Sequence, residues 1–306
     1  MEGDRGSQLA VLVVSYNTRE LLRSFLRSAL AAGEELIRVN SGGAERRLVP
    51  PLRLQIIVVD NASRDGTVAM VEREFPAVLV MANRENVGPA RAFNQALRLA
   101  LESPENEFLV LANSDIEILP FALSRMLEFL LSHPEADGCS AALLNPDLTP
   151  QVTRTFVWRL LPRPRSAAYR STFPGTTFAM YRRRAFQQVG GFDEVYYFYN
   201  EDLDWATRAF RAGLTFYHLT DAKVVHYGGA GRSQNQLRIK EELPRANYYY
   251  FRRHWPWLAP LVFQYNCWSL KREAGRGTPG AAEALRRLEE EHHSPSAPRI
   301  PAFTQD

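Results

Sequence analysis

An α/β fold is predicted, with a mostly parallel central sheet flanked by helices and a C-terminal helical extension. Three observations predict it. Apolar runs of strand length and segments of helical periodicity alternate four times within the first 131 residues, as parallel strands joined by crossover helices require. The strand runs are continuously apolar, the mark of strands covered on both faces. Small polar residues follow strand after strand, so they collect at the carboxyl edge of the sheet, where open α/β sheets bind ligands.

Leu9–Ser15 is the first strand and runs into Ser15-Tyr16-Asn17-Thr18, a helix-capping cluster. Leu21, Leu22, Phe25, Leu26 and Leu30 then recur at helical spacing. Glu34–Pro51 is polar, with Gly42-Gly43 and Pro50-Pro51, and reads as a loop insertion. Leu54–Val59 is the second strand, ended by Asp60-Asn61-Ala62-Ser63, and Asp65–Glu74 is helical. Ala77–Met81 is the third strand. Asn86-Val87-Gly88 then enters a helix over Pro89–Leu101, with proline in its first turn. Phe108–Ala112 is the fourth strand, ended by Asn113-Ser114-Asp115, and Phe121–Leu131 is a helix. Beyond Asp137 the pattern changes to short strands at Gly138–Leu144, Thr176–Tyr181, Leu214–His218 and Ala222–His226, with one helix at Glu201–Ala212. From Ser294 a Pro/Ser-rich tail is expected to be disordered.

Composition excludes several classes. The 306 residues are 45% hydrophobic and 23% charged, ordinary for a globular chain. A net charge of +3 is too small to argue for nucleic acid. Eight arginines and no acidic residue lie between Pro150 and Arg184, which suits an anionic partner such as phosphate or a membrane surface, or a solvated loop. Cys139 and Cys267 form neither a disulfide framework nor a zinc spacing, which fits a reducing cytoplasm. The charged N-terminus and the short run after it read as a first strand rather than a signal peptide. No stretch reaches the roughly 18 apolar residues of a spanning helix.

Five constellations could carry chemistry. Ser15, Asn17, Asp60 and Asn61 follow buried strands and could line a nucleoside pocket, Asp60 accepting from a base N–H or a ribose hydroxyl; singly, each could be a helix cap. In the Asn86–Asn94 segment, Gly88 allows close backbone approach, and Arg91 and Asn94 share a helix face that could meet diphosphate or sugar. Asp115 of Asn113-Ser114-Asp115 could hold Mg2+ or Mn2+ against a diphosphate, or simply close a turn. Glu201, Asp202 and Asp204 crowd the first turn of a helix, where the dipole favours them. Crowded carboxylates also shift each other's pKa, which suits a general base. His226 ends a strand before Gly228-Gly229, a plausible metal-ligand position.

The ordered set of motifs resembles the family 2 inverting glycosyltransferases of GT-A fold, and within them the rhamnosyltransferase-type enzymes of cell-surface polysaccharide assembly. The matching pieces are Val13–Asn17, Ile57–Gly66, Asn83–Gly88, Leu111–Asp115, Leu144–Asp147, Met180–Arg183, Val189–Glu194, Glu201–Asp204 and Val224–Gly229, spanning about residues 9–232. The resemblance implies a catalytic domain over 1–235, with a nucleotide-binding half at 9–131 and an acceptor half at 132–235, then a helical extension at 236–293. It implies that Ser15, Asn17, Asp60 and Asn61 hold the nucleoside. Asn86, Gly88, Arg91, Asn94, Asn113 and Ser114 would line the rest of the donor site. Asp115 and His226 would be metal ligands for Mg2+ or Mn2+, and Asp202 the base. Glu201, Asp204 and Trp205 would lie on the acceptor side.

The implied donor is a dTDP- or UDP-sugar, rhamnose among the candidates, and the acceptor a glycan or lipid-linked hydroxyl. The expected place is the cytoplasm, with peripheral membrane contact. Asn113 stands where the family's Asp-x-Asp has its first carboxylate, and one charge fewer weakens metal binding. That departure leaves a catalytically inactive nucleotide- or glycan-binding relative as the alternative. A nucleotidyltransferase would show a Gly-rich basic loop after the first strand, and a dinucleotide oxidoreductase a Gly-x-Gly-x-x-Gly; neither is present. In the extension, Tyr248–Trp257 and Trp268-Lys271-Arg272 set aromatics beside cations, which suits a membrane interface or helices packed on the core.

Overall fold

The computed structural model describes residues 8–41, 53–151, 167–171, 175–229 and 236–303. The first strand, β1 (Gln8–Ser15), lies between β2 (Arg53–Asp60) and β4 (Asn106–Asn113), parallel to both, and β3 (Leu79–Ala82) is parallel to β2. Strand alternation divides its side chains between two layers. Leu9, Val11 and Val13 meet Leu22, Phe25 and Leu26 of α1 (Arg19–Ser41), a layer completed by α2 (Thr67–Glu74) and α4 (Ala122–Ser132). Ala10 and Leu12 meet Phe93, Ala96 and Leu97 of α3 (Pro89–Glu102), joined by Phe186 of α5 (Arg183–Val189) and Trp205 of α6 (Glu201–Arg211).

Beyond β4 the sheet turns mixed. It continues through β8 (Phe178–Arg182), β6 (Gly138–Leu144), β9 (Phe216–His226) and β5 (Ile116–Ile118), with β7 (Ala168–Ser171) also on β9. β8 is antiparallel to both β4 and β6, while β6 and β9 are parallel. The parallel pattern expected of the sheet thus governs its first four strands. The strands expected at Leu214–His218 and Ala222–His226 are one strand, β9, whose register against β6 shifts between Ala141 and Ala142. Its first half pairs with β7 and its second with β5, both antiparallel.

Residues 34–41, expected as loop, continue α1. Leu36 extends the buried stripe of Ala29 and Ala32. Glu35 accepts from Phe121 N and Ser124 Oγ, both at 2.9 Å, placing a carboxylate at the positive end of α4. The rest of the expected insertion lies outside the described residues. Of the arginine-rich run, Arg154, Arg159, Arg163 and Arg165 also lie outside them. The others serve the fold: Arg182 Nε donates to Ala136 O (2.9 Å), Arg183 Nη1 to Ser103 O (2.8 Å), Arg184 pairs with Asp137 (2.8 Å), and Arg170 donates to Thr215 Oγ1 (3.0 Å). Cys139 is buried, which pushes its thiol pKa up.

Three helices follow the sheet: α7 (Gln236–His254), α8 (Ala259–Gly275) and α9 (Ala281–His293). The aromatic run of α7 points inward. Tyr249 Oη donates to Asp193 Oδ2 (2.7 Å), Tyr250 Oη shares a hydrogen bond with Thr207 Oγ1 (2.8 Å), and Tyr248 packs against Leu270 and Leu288. The tail expected to be disordered is docked as far as it is described. Arg299 N donates to Asp193 Oδ1 (2.9 Å), Gly191 N donates to Pro301 O (2.8 Å), and Phe303 enters the core beside Phe192. A Pro-rich composition did not exclude order here, because Asp193 and the backbone N–H groups of Gly191 and Glu194 supply partners.

Candidate active site at the carboxyl edge of the sheet

The ends of β1 and β2 lie in register, Ser15 opposite Asp60. Ser15 Oγ donates to Asp60 Oδ1 (2.9 Å) and Ser63 N to Asp60 Oδ2 (2.8 Å). Asn17 N donates to Ser63 Oγ (2.7 Å), and Asn17 Oδ1 accepts from Arg64 N (2.7 Å). Asn17 and Ala62 have left-handed φ values of 50° and 69°, conformations that persist only when the surroundings enforce them. The buried Asn61 continues the network. Its Oδ1 accepts from Asn83 Nδ2 and Val87 N, both at 3.1 Å, and its Nδ2 donates to Asn86 Oδ1 (2.9 Å). Ser15, Asn17, Asp60 and Asn61 are thus brought together, and their polar atoms fix the shape of the turns above the sheet.

Gly88, at φ 84°, opens α3; a Cβ there would lie 2.4 Å from Tyr197 O. This close approach brings the loop before α6 against the Asn86–Gly88 turn, and Tyr197 Oη donates to Asn86 O (3.2 Å). A cavity of about 270 Å³ opens here, lined by Asn86, Val87, Arg91, Glu194, Tyr197 and Arg238. Arg91 is exposed and pairs with Glu194 at 3.2 Å. Arg238 stacks on the Tyr197 ring, 3.4 Å from its centroid; nothing in its sequence context marked it. Asn94, expected on the donor, is instead a buried tie. It exchanges hydrogen bonds with Phe192 O and N (2.9 and 2.8 Å), and its Oδ1 stands where Gly191 has no room for a Cβ.

Asn113-Ser114-Asp115 turns β4 into β5. Ser114 Oγ shares a hydrogen bond with Thr18 Oγ1 (2.9 Å), which ties this turn to the end of β1. Asn113, half-buried, donates its N–H to Thr177 O (3.0 Å). Because β5 pairs with the end of β9, Ile116 opposite His226, the imidazole reaches the carboxylate: His226 Nε2 lies 3.4 Å from Asp115 Oδ1. A third residue orients the ring. Gln151 Nε2 donates to His226 O (3.2 Å) and to Asn145 Oδ1 (3.3 Å), leaving its Oε1 to accept from His226 Nδ1 at 2.7 Å. Nδ1 therefore carries a proton, and Nε2 is the ring nitrogen that faces Asp115. This is the support that metal-bound histidines have. Gln151 has no local sequence signal; the turn through Asn145–Pro150 returns it to β6, where its N–H donates to Leu143 O (2.8 Å). Among the described residues no group of three or more His, Cys, Asp or Glu converges.

At the start of α6, Tyr199 and Asn200 both have left-handed φ, 65° and 68°. Glu201 and Asp202 follow, side by side and half-buried. Burial and the neighbouring Asp202 push Glu201 up to about 8, and its Oε2 is buried without a hydrogen-bond partner among the described residues. Burial also raises Asp202, against the Leu203 N–H that donates to its Oδ1 (2.8 Å).

Asp204 and Trp205 do not reach an acceptor surface; their relative exposures are 0% and 2%. Helical periodicity turns both to the core. Asp204 accepts from Arg208 Nε (2.8 Å) and His254 Nε2 (2.7 Å), with Arg253 at 3.2 Å. Burial alone would raise its pKa, but the His254 bond and the two arginines outweigh that and hold it below the usual carboxylate range. Trp205 Nε1 donates to Gly190 O (2.9 Å), and its ring packs edge-on to Tyr181.

The sheet order and a carboxylate turn at its carboxyl edge define a GT-A glycosyltransferase architecture. Solved structures share that fold. The mannosyltransferase PcManGT from Pyrobaculum calidifontis, in complex with GDP-Man and Mn2+, superposes with a TM-score of 0.55 at 20% identity, covering 96% of this chain and 77% of that one. S. aureus TarS 1–349 gives 0.54 at 16% identity, covering 95% and 93%. The family model described as glycosyl transferase family 2 matches residues 10–190, and the chain belongs to that family. Its relatives include rhamnosyltransferases. The Mycobacterium tuberculosis N-acetylglucosaminyl-diphospho-decaprenol L-rhamnosyltransferase is 26% identical over 286 residues, 83% of this chain and 87% of that protein. The O-antigen chain rhamnosyltransferase WbaN of Salmonella anatum is 28% identical over 183 residues, 56% of each.

Proposed function

We propose that the chain is an inverting glycosyltransferase that moves a deoxyhexose of the rhamnose type from a nucleotide diphosphate to a hydroxyl of a lipid-linked glycan in cell-surface polysaccharide assembly. The observation that carries this reading is the oriented Asp115–His226 pair at the same sheet edge as the Ser15–Asp60 turns. Full-length similarity to a rhamnosyltransferase whose name specifies a decaprenol-diphosphate acceptor supports the substrate class.

The residues fit a divalent cation. A carboxylate and an imidazole nitrogen suit Mn2+ or Mg2+ as ligand types, and two protein ligands leave coordination places for phosphate oxygens. Asp115 and His226 would hold the ion, which would neutralise charge on the departing diphosphate. The turns through Asn17, Asp60 and Asn86 seat the nucleoside, and Arg91 and Arg238 line the cavity beside them together with Glu85 and Glu194. Asp202 takes the proton of the acceptor hydroxyl. The freed oxygen forms its bond to the anomeric carbon as the bond to the diphosphate oxygen breaks on the opposite face, so the configuration inverts. Its raised pKa makes Asp202 a stronger base than an exposed aspartate.

The test is a thermal-shift titration with dTDP, UDP and GDP and their sugars, each with and without Mn2+. Stabilisation grows with ligand concentration over Kd. A shift with dTDP or UDP that increases with Mn2+ is expected. No shift with any nucleotide, for folded protein, overturns the reading.

A further inference from the structure

Helix α8 is apolar on two opposite faces. Ala259, Phe263, Cys267 and Leu270 face inward, against Tyr248 and Leu288 of α7 and α9. On the outside Trp257, Leu261, Tyr265 and Trp268 recur at intervals of four, four and three residues, and are 72%, 63%, 65% and 58% exposed. A helix apolar all round is normally buried on all sides; this one is covered on one side only. The exposed stripe ends in cations. Lys271, Arg272 and Arg276 are all exposed, and the Arg272 guanidinium lies 5.7 Å from the Trp268 ring centre. Glu273, the one acidic residue from Trp257 to Arg276, is half-buried and pairs with Lys240 at 3.7 Å.

We propose that this outer face of α8 is a membrane-docking surface for a bilayer containing anionic phospholipid. The chemistry selects that occupant. Tryptophan and tyrosine set apolar rings and polar tips at the depth where acyl chains meet headgroups, and cations beside them match anionic headgroups. A second copy related by a two-fold axis would meet the same cations with no exposed carboxylate on the stripe to receive them. Trp257 stands in the turn before the helix, and the helical part of the stripe, Leu261 to Trp268, is about 10 Å long at the helical rise. Among the described residues no helix is long and apolar enough to cross a membrane, so α8 lies in the interface plane. The aromatics of α7 take no part, being turned into the core. This inference deepens, and rests for its purpose on, the reading that the acceptor is lipid-linked: docking α8 would hold the active site where such an acceptor is anchored.

Flotation of the full chain with lipid vesicles tests it. Binding to phosphatidylcholine vesicles containing phosphatidylglycerol is expected, weakened about tenfold by Leu261→Ser/Trp268→Ser and, separately, by Lys271→Gln/Arg272→Gln or by high salt. Brominated phosphatidylglycerol should quench the wild-type tryptophan emission, a readout that needs no variant. Failure of the wild type to float, flotation unchanged in the variants, or a solution dimer that Leu261→Ser/Trp268→Ser dissociates without vesicle binding overturns the proposal. The nucleotide-induced thermal shift, followed in parallel, separates the two readings. If it persists while flotation fails, the transferase stands and the docking surface falls. If it is absent while flotation succeeds, the reverse holds.

Discussion

His226 Nε2 sits 3.4 Å from Asp115 Oδ1 although the two residues belong to distant parts of the chain. The three-residue strand β5 causes the meeting. It carries the chain out of the Asn113–Asp115 turn and pairs it with the last residues of β9, and Tyr227 N donates to Asp115 O (3.0 Å) to close the junction. A short antiparallel pairing between strands far apart in sequence assembles the pair.

Gln151 fixes which nitrogen of His226 faces Asp115, so in the proposed metal site it would govern affinity without touching the ion. Gln151→Leu is expected to raise the Mn2+ dissociation constant about 10- to 100-fold, read by calorimetry, while the melting temperature without metal stays close to the wild type. Unchanged Mn2+ affinity would remove Gln151 from this role.

Glu201 makes stability pH-dependent. Its folded pKa is raised from 4.5 to about 8 by burial and by Asp202. Below 4.5 the group is neutral folded and unfolded, so it imposes no penalty. As pH rises toward about 8, the unfolded chain ionises and the folded one resists, so stability falls across that window and levels off above it. Glu201→Gln should therefore match the wild type at the acid end and melt a few degrees higher at the alkaline end. Parallel melting curves across the whole range would refute this.

Asp204 belongs to the scaffold. Asp204→Asn leaves Arg208 and the buried His254 without their carboxylate and Arg253 with Asp193 alone, and about 3–5 kcal/mol of stability should be lost in chemical denaturation. Asp202→Asn, at a half-buried position that no cation among the described residues pairs with, should unfold close to the wild type. Equal stabilities for the two variants would show that the Asp204 cluster is not a buried ion network.

Much of this was legible in the chain. The apolar runs marked β1, β2 and β4, and the polar residues after them marked the edge where the turns converge. What escaped notice depended on partners distant in sequence. Gln151 acquires its role only because the chain folds back onto β6, and Arg238 only because Tyr197 lies under it. The alternation Ile116-Glu117-Ile118 was a strand signal, but a run of three residues is too short to stand out. The helix face shared with Arg91 points Asn94 to the donor, and the resemblance puts Asp204 on the acceptor side, but neither signal registers a partner inside the protein. Each is consumed inside the protein, one by Phe192 and the other by His254 and Arg208. Composition marked residues 294–303 as tail, because it does not register the carboxylate of Asp193 that receives Arg299.

The most direct measurement is sugar transfer by the wild type and by Asp202→Asn, with dTDP-rhamnose, Mn2+ and a polyprenyl-diphosphate N-acetylglucosamine acceptor, and with the product's anomeric configuration determined by NMR. The wild type should form a linkage of configuration opposite to the donor's. The variant should lose about 10²- to 10⁴-fold in turnover while keeping the nucleotide-induced thermal shift. Wild-type turnover in Asp202→Asn, or a product that retains the donor's configuration, would contradict the assignment of Asp202 as the base of an inverting transferase.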